Sequence, residues 1–283
     1  MVPDRHFRFN QAVILGATGP TGIHLASVLR SRDVRLQVVS RSTDHLQQVF
    51  SESGVECMAA DAIREDEVER VLEGQEGMFD CIGLPAERMG QHPDTARNIA
   101  RVVRRSGLRC VQVSSYWAYL PVANLPVNEE QVRLGGNEWV GQRRQAEDIL
   151  QEAGAAILNL PDFYGPGVHM STLQQPLREA AEGKTMNWFG PADVEREYVY
   201  VPDAMEIAAD LATREEAYGQ RWIVPGGWTA HGTEGGGKCQ QAPKSKSQTE
   251  GDGDDDASAR QSFQSTTAQL FENGAVLFPA DKF

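Results

Sequence analysis

Residues 12–29 read AVILGATGPTGIHLASVL, a short β-branched run that ends at a glycine and passes directly into a helical pattern. Between the two lie Gly16, Gly19 and Gly22, the spacing G-x-x-G-x-x-G. A glycine at the first position permits a tight turn. The second lets a pyrophosphate approach the backbone, and the third lets helix and strand pack closely. The helix after the loop offers unpaired N–H groups and the positive end of its dipole to phosphates. Gly16, Thr18, Gly19, Pro20, Thr21 and Gly22 are therefore the expected cradle for a dinucleotide. The bland alternative is a merely tight turn, and the alternation of strand and helix patterns down the chain argues against it.

Outward from this stretch, apolar runs recur at RLQVV (35–39), VECMA (55–59), MFDCI (78–82), RCVQV (109–113), AAILNL (155–160) and WIV (222–224). Between them, segments 20–31, 64–73, 92–106 and 138–153 place apolar residues at helical spacing, with caps expected at Asp94 or Thr95 and at Asn137. Such alternation predicts a doubly wound parallel α/β sheet covered on both faces. The second run ends at Ser40-Arg41-Ser42, 19 residues beyond Gly22, with no acidic residue in Val38–Thr43. An acidic side chain there would bind the NAD ribose diol, whereas an arginine can pair with the 2′-phosphate of NADP. Arg41 thus favours NADP, with NAD as the alternative.

The chain has 283 residues, 27 basic against 40 acidic, for a net charge of -13. A surface that acidic repels phosphate backbones and anionic lipid, so neither nucleic acid nor a membrane surface is an expected partner. The start, MVPDRHFRFNQ, lacks the apolar run of a signal peptide, and a cytoplasmic location is the expectation. Cys57, Cys81, Cys110 and Cys239 show no CxxC spacing, and the six histidines show no HxH or HExxH, so no metal site is expected.

Composition changes near residue 229. Thr229–Ser262 contains no Val, Ile, Leu, Met, Phe, Trp or Tyr. Residues 1–228 carry 21 arginines and one lysine, Lys184, whereas the remaining 55 residues carry four lysines. A stretch without large apolar groups cannot offset the entropy of ordering it, so residues 229–283 are expected to be a disordered tail behind a domain at 8–228. A native solvated tail and a frame-shifted replacement of a lost portion both fit that composition.

The motifs GATGPTG (16–22), AAD (59–61), FDCIG (79–83), SSYWAY (114–119), PDFYGPG (161–167) and REYVYVPDA (196–204) together resemble the extended short-chain dehydrogenase/reductases, the NAD-dependent epimerase/dehydratase family. The resemblance covers roughly residues 10–228. It implies a Rossmann-type fold with a small substrate region at about 162–206, incomplete in this chain. Asp61 would contact the adenine amine, and Gly83 would let backbone lie against the cofactor. Ser115 would stand in the catalytic group, and Tyr164 and Arg196 on the side of a small-molecule substrate. Relatives pair through the helices around the catalytic segment, which allows a homodimer.

One departure matters. The family's Y-x-x-x-K is here Trp139-Val140-Gly141-Gln142-Arg143, and none of the six tyrosines is followed four residues later by lysine. An indole N–H cannot exchange a proton near neutral pH. Arg143 could still grip ribose hydroxyls and lower a nearby phenol's pKa. Tyr116 is the preferred displaced hydroxyl, because the Tyr119 position is commonly structural in the family. The sequence therefore supports an NADP-dependent oxidoreductase or epimerase acting on a sugar-like or small carbonyl substrate. The alternatives are a cofactor-binding sensor or interaction protein without turnover, and a truncated or frame-shifted family member.

Overall fold

A computed structural model describes residues 10–51, 54–169, 171–182 and 196–230. The expected disordered tail lies outside the described residues, apart from its first two positions. The chain divides into two compact units, Met1–Leu160 with Ala204–Val224, and Pro161–Asp203 with Pro225–Phe283.

The first unit holds a seven-stranded sheet. Its strands are β1 (Gln11–Leu15), β2 (Arg35–Ser40), β3 (Glu56–Ala59), β4 (Gly77–Asp80), β5 (Arg109–Ser115), β6 (Ala156–Leu160) and, from late in the chain, Arg221–Ile223. Its helices are α1 (Pro20–Ser31), α2 (Thr43–Phe50), α3 (Glu65–Leu72), α4 (His92–Ser106) and α5 (Glu138–Glu152). In the second unit, β7 (Asp162–Tyr164) pairs parallel with β8 (Arg196–Tyr200), and α6 (Gln174–Ala181) lies between them in sequence. Helix α7 (Val201–Leu211) returns the chain to the first unit, where Arg221–Ile223 is β9; β10 (Trp228–Ala230) then runs antiparallel to β8. That last strand takes in the first two residues of the low-complexity stretch.

The large sheet is parallel throughout, in the order β3-β2-β1-β4-β5-β6-β9. Crossovers run outward from β1 in both directions, which places α1 and α2 on one face and α3–α5 on the other. Burial on both faces explains why the strands read as continuous apolar runs. Under α3–α5 the core is built from Val13, Leu15, Met78, Cys110 and Ile157 of the strands against Val68, Val71, Ile99, Val103 and Leu150 of the helices. Side chains alternate along a strand, so the residues two beyond Met78, Cys110 and Ile157 share that face. They are Asp80, Gln112 and Asn159, all buried. The core turns polar where the strands end.

One cap differs from expectation. Helix α4 starts at His92 with Pro93 in its first turn, Gln91 as N-cap and no side-chain cap. Proline's missing N–H and fixed φ suit that position, so the helix begins before Asp94. Thr95 Oγ1 instead donates to the His92 carbonyl at 2.8 Å. Asn137 caps α5 as expected, accepting from the Val140 N–H at 3.0 Å. At the outer edge, β9 pairs only with β6 among the described residues, and the Glu129 carboxylate accepts the Ile223 N–H at 3.0 Å.

Candidate functional site

The glycine loop sits between β1 and α1, on the ends of the neighbouring strands. Cys81 N–H donates to the Leu15 carbonyl at 2.9 Å, Ala17 N–H to the Val39 carbonyl at 3.1 Å, and the Thr21 hydroxyl hydrogen-bonds the Cys81 thiol. Gly16 has φ +74°, and a Cβ there would lie 2.5 Å from the Cys81 carbonyl oxygen. A Cβ on Gly22 would lie 2.6 Å from the Ala17 Cα. These two glycines are required by the chain's own packing. Gly19 is different: a Cβ there would meet only the Gly16 oxygen, at 3.5 Å. Gly19 is also the N-cap of α1, with no side-chain cap and Pro20 next in the chain. An uncapped helix end with open space at its glycine fits an anionic phosphate that occupies this position. Gly83 is exposed, and a Cβ there would meet nothing within 4 Å.

Around this cradle, Arg41 is exposed just after β2, while the neighbouring Ser42 side chain caps α2 by accepting from His45 N–H at 3.2 Å. Asp61 Oδ1 accepts from Ile63 N–H at 3.2 Å, and its other oxygen lies 3.5 Å from Arg88 Nη2. That carboxylate keeps a fixed orientation with a third of its side chain exposed.

The segment carrying the catalytic candidates is tied to the sheet through Glu147, which bonds to two strands and forms a buried ion pair with Arg133. Ser115 ends β5; its Oγ accepts from Trp117 N–H at 3.3 Å, starting the 3₁₀ turn Tyr116–Tyr119. Its hydroxyl proton remains a donor. Tyr116 is half-buried, whereas Tyr119 is fully buried under the Arg133 guanidinium, and burial pushes its phenol up to about 12. Glu147 of α5 is fully buried and accepts from Ser114 Oγ at 2.5 Å, Asn159 Nδ2 at 2.8 Å and Arg133 Nη1 at 2.5 Å. Asn159 Nδ2 also reaches the Ser115 carbonyl at 3.2 Å. Arg144 donates to the carbonyls of Ala118, Leu120 and Gly135, at 2.6, 2.5 and 2.7 Å. Helix, turn and strand end therefore form one braced piece.

On this brace, Trp139 is half exposed and Arg143 half-buried. Burial pulls the Arg143 pKa down, countered by the charges of Glu147 and Asp80. The charge of Arg143 is felt by two buried groups that the motif reading overlooks, Asp80 and His92, and Gln112 holds the first of them. Gln112 Nε2 donates to Asp80 Oδ2 at 3.2 Å and Ile82 N–H to Oδ1 at 3.1 Å. Burial pushes Asp80 up to about 6, partly offset by those bonds and by Arg143. The same burial, with Arg143 nearby, holds His92 down at about 4. The signal was a charged residue inside the apolar run MFDCI, opposite a glutamine inside RCVQV.

In the second unit, Tyr164 is buried, its ring centroid 5.6 Å from that of Tyr200, and burial beside Asp203 pushes its phenol up to about 12. Asp162 accepts from the Thr172 N–H at 2.9 Å and from the Thr172 hydroxyl, with Arg196 of β8 lowering its pKa against the stronger effect of burial. Among the described residues no group of three His, Cys, Asp or Glu could hold a metal, and no helix is long and apolar enough to cross a membrane.

No curated protein matches the sequence. Among solved structures, an epimerase from Methanothermobacter thermautotrophicus is similar with TM-score 0.69 and 14% identity, covering 80% of this chain and 74% of that one. UDP-glucuronic acid 4-epimerase from Bacillus cereus, solved with UDP-glucuronic acid and NAD, gives TM-score 0.68 at 16% identity over 78% of this chain and 79% of its own. dTDP-glucose 4,6-dehydratase from Bacillus anthracis, solved with NAD, gives 0.68 at 14% over 78% and 77%. At these identities the likeness is one of fold, an epimerase/dehydratase-like Rossmann fold. The sequence itself matches the NAD(P)H-binding family over residues 16–157. With half of its length inside that match, the chain belongs to the NAD(P)H-binding family.

Proposed function

We propose that the chain is an NADP-dependent oxidoreductase of epimerase or dehydratase type, acting on a sugar-like or small carbonyl substrate with its acid/base hydroxyl moved off α5. The observation that carries this reading is the uncapped end of α1 at Gly19, flanked by an exposed Arg41 with no acidic neighbour at the end of β2. The nicotinamide cofactor, when bound, supplies hydride acceptance and donation. For the chain's own residues, the backbone at Gly19 and the first N–H groups of α1 hold the pyrophosphate, and Thr18, Pro20 and Thr21 shape that loop. Arg41 pairs with the 2′-phosphate, Asp61 orients the adenine amine, and Gly83 leaves room for backbone contact. Arg143 takes the ribose hydroxyls. Ser115 and Tyr116 present hydroxyls to the reacting carbon. The sugar-nucleotide names of the two Bacillus enzymes support the substrate class.

Calorimetric titration with NADP and NAD tests the cofactor assignment. NADP is expected to bind more tightly, and Arg41→Ala to erase the preference, about ten- to a hundredfold, as fits one lost charge-assisted phosphate contact. Equal affinity of the wild type for both cofactors overturns it.

The half-exposed indole of Trp139, at the position where the family carries its phenol, favours a second reading: a cofactor binder without turnover. Such a protein would be inert toward alcohols, ketones and sugar nucleotides, yet NADP would still raise its melting temperature by mass action.

A further inference from the structure

Beyond the end of β3, an acceptor and a donor are held side by side. The loop that carries Asp61 is fastened from several directions. Glu67 Oε2 accepts the Asp61 N–H at 2.7 Å, and the Ile63 N–H holds Asp61 Oδ1 at 3.2 Å. From α4, Asn98 Nδ2 donates to the carbonyls of Ala62 and Ile63, at 3.0 and 2.9 Å. Facing this loop is Arg88, from the 3₁₀ turn Ala86–Gln91. Its Nε donates to Gln91 Oε1 at 2.6 Å, and its Nη2 lies 3.5 Å from Asp61 Oδ2. That separation exceeds the roughly 2.7–3.2 Å of an N–H···O hydrogen bond, so neither group saturates the other.

We infer that Arg88 is a specificity-determining residue of the adenine subsite: while Asp61 accepts from the 6-amino group, Arg88 donates to a ring nitrogen beside it. This rests on Asp61 meeting the adenine amine in the function proposed above. The chemistry of the base supplies the match. Adenine sets its amine, a donor, between the acceptors N1 and N7, so a carboxylate with a donor at its side is the complementary pair.

The surroundings single out Arg88 among the arginines near this loop. Arg64 is turned to Glu67 and Asp66, at 2.7 and 3.5 Å. Arg70 Nη2 donates to the Ala59 carbonyl at 2.7 Å. Among the described residues, the protein engages only Nε and, loosely, Nη2 of Arg88, which leaves the rest of its donor fork to a ligand. Water reaches both members of the pair, with 22% of the Arg88 side chain and 36% of that of Asp61 exposed. A solvated ion pair contributes little to stability, so the fold alone gives weak reason for placing a cation here.

The experiment is calorimetric titration with NAD and with its 7-deaza and 1-deaza adenine analogues, each of which replaces one ring nitrogen by C–H and keeps the amine. NAD suffices because the base does not depend on the 2′-phosphate. The wild type is expected to bind the analogue lacking the nitrogen that Arg88 meets about tenfold more weakly than NAD, as fits one lost hydrogen bond to a charged group. Arg88→Met keeps the length of the side chain without its donors and should bind that analogue and NAD equally. A merely structural Arg88 would instead lower all three affinities by one factor and leave their ratios as in the wild type. Ratios unchanged in Arg88→Met therefore overturn the inference. So does a wild type that binds both analogues as tightly as NAD, a measurement that needs no variant to fold; either result leaves the cofactor assignment standing. Failure of the wild type to bind either NAD or NADP overturns both.

Discussion

A Cβ on Gly22 would lie 2.6 Å from the Ala17 Cα and 2.7 Å from the Gly16 oxygen, and both are backbone atoms that cannot rotate away. Gly22→Ala is expected to destabilise the fold by about 1–3 kcal/mol, the usual range for overpacking, and to lower the melting temperature by several degrees. Gly19 makes the opposite case. Its added Cβ would meet one atom at 3.5 Å, so Gly19→Ala should melt with the wild type. It should nevertheless lose cofactor affinity in calorimetry, because the methyl occupies space that the pyrophosphate needs. A drop in both melting temperature and affinity would make Gly19 a packing residue. Tyr116 carries the catalytic prediction at this scale. Tyr116→Phe should abolish whatever turnover the wild type shows while leaving NADP affinity unchanged, and activity that survives it moves attention to Asp162. Restoring phenol and amine together, Trp139→Tyr with Arg143→Lys, should raise turnover, since a phenol near its reference pKa of about 10 is a poor base without a neighbouring cation.

Among the elements, β4 stores an electrostatic cost at its last residue. The folded pKa of Asp80, about 6, lies above its ordinary 3.8. Folding therefore favours the protonated form. The stability it contributes is fully present below about 4 and is lost as pH rises through 6, by about 3 kcal/mol in all. Asp80→Asn without cofactor should be more stable than wild type at pH 8, and the two should converge at pH 4, read as the difference between their denaturation curves. A constant difference across that range would leave Asp80 without its proposed burial cost. Helix α5 shows the reverse economy. Glu147→Ala strips Arg133 of a buried partner and leaves Ser114 and Asn159 without their acceptor, so a loss of about 3–5 kcal/mol is expected in chemical denaturation. The same elements show how far the sequence could be read. The strands β1–β6 and β9, with α1 and α3–α5, were legible because β-branched runs and amphipathic spacing recur between turn residues. The short helix α2 carries only Leu46 and Phe50 on its buried face, too few to reveal a period. Helix α7 is buried at Val201, Ala204, Met205, Ala208, Ala209 and Leu211, nearly all round, so it shows no amphipathic period by which to read it. The glycine cradle was visible for a local reason, since turn and helix start lie in one stretch. The Asp80 layer was not, because Gln112, which holds its carboxylate, stands on β5 and meets it only through the pairing of the two strands.

At the scale of the whole molecule, a net charge of -13 disfavours close approach of copies, but charge alone does not protect a sheet margin. Strand β9 has only three residues, and its Ile223 N–H is taken by Glu129 from a loop of the same unit. An outward amide on a margin strand is what a foreign strand needs to begin pairing, and brevity together with an occupied amide denies it. Glu129→Ala is expected to leave the melting temperature nearly unchanged but to raise light scattering on prolonged incubation just below it. Scattering identical to wild type would mean that the strand's length suffices alone. One surface carboxylate thus acts as a stopper against templated growth, placed where the sheet would otherwise be able to recruit another chain.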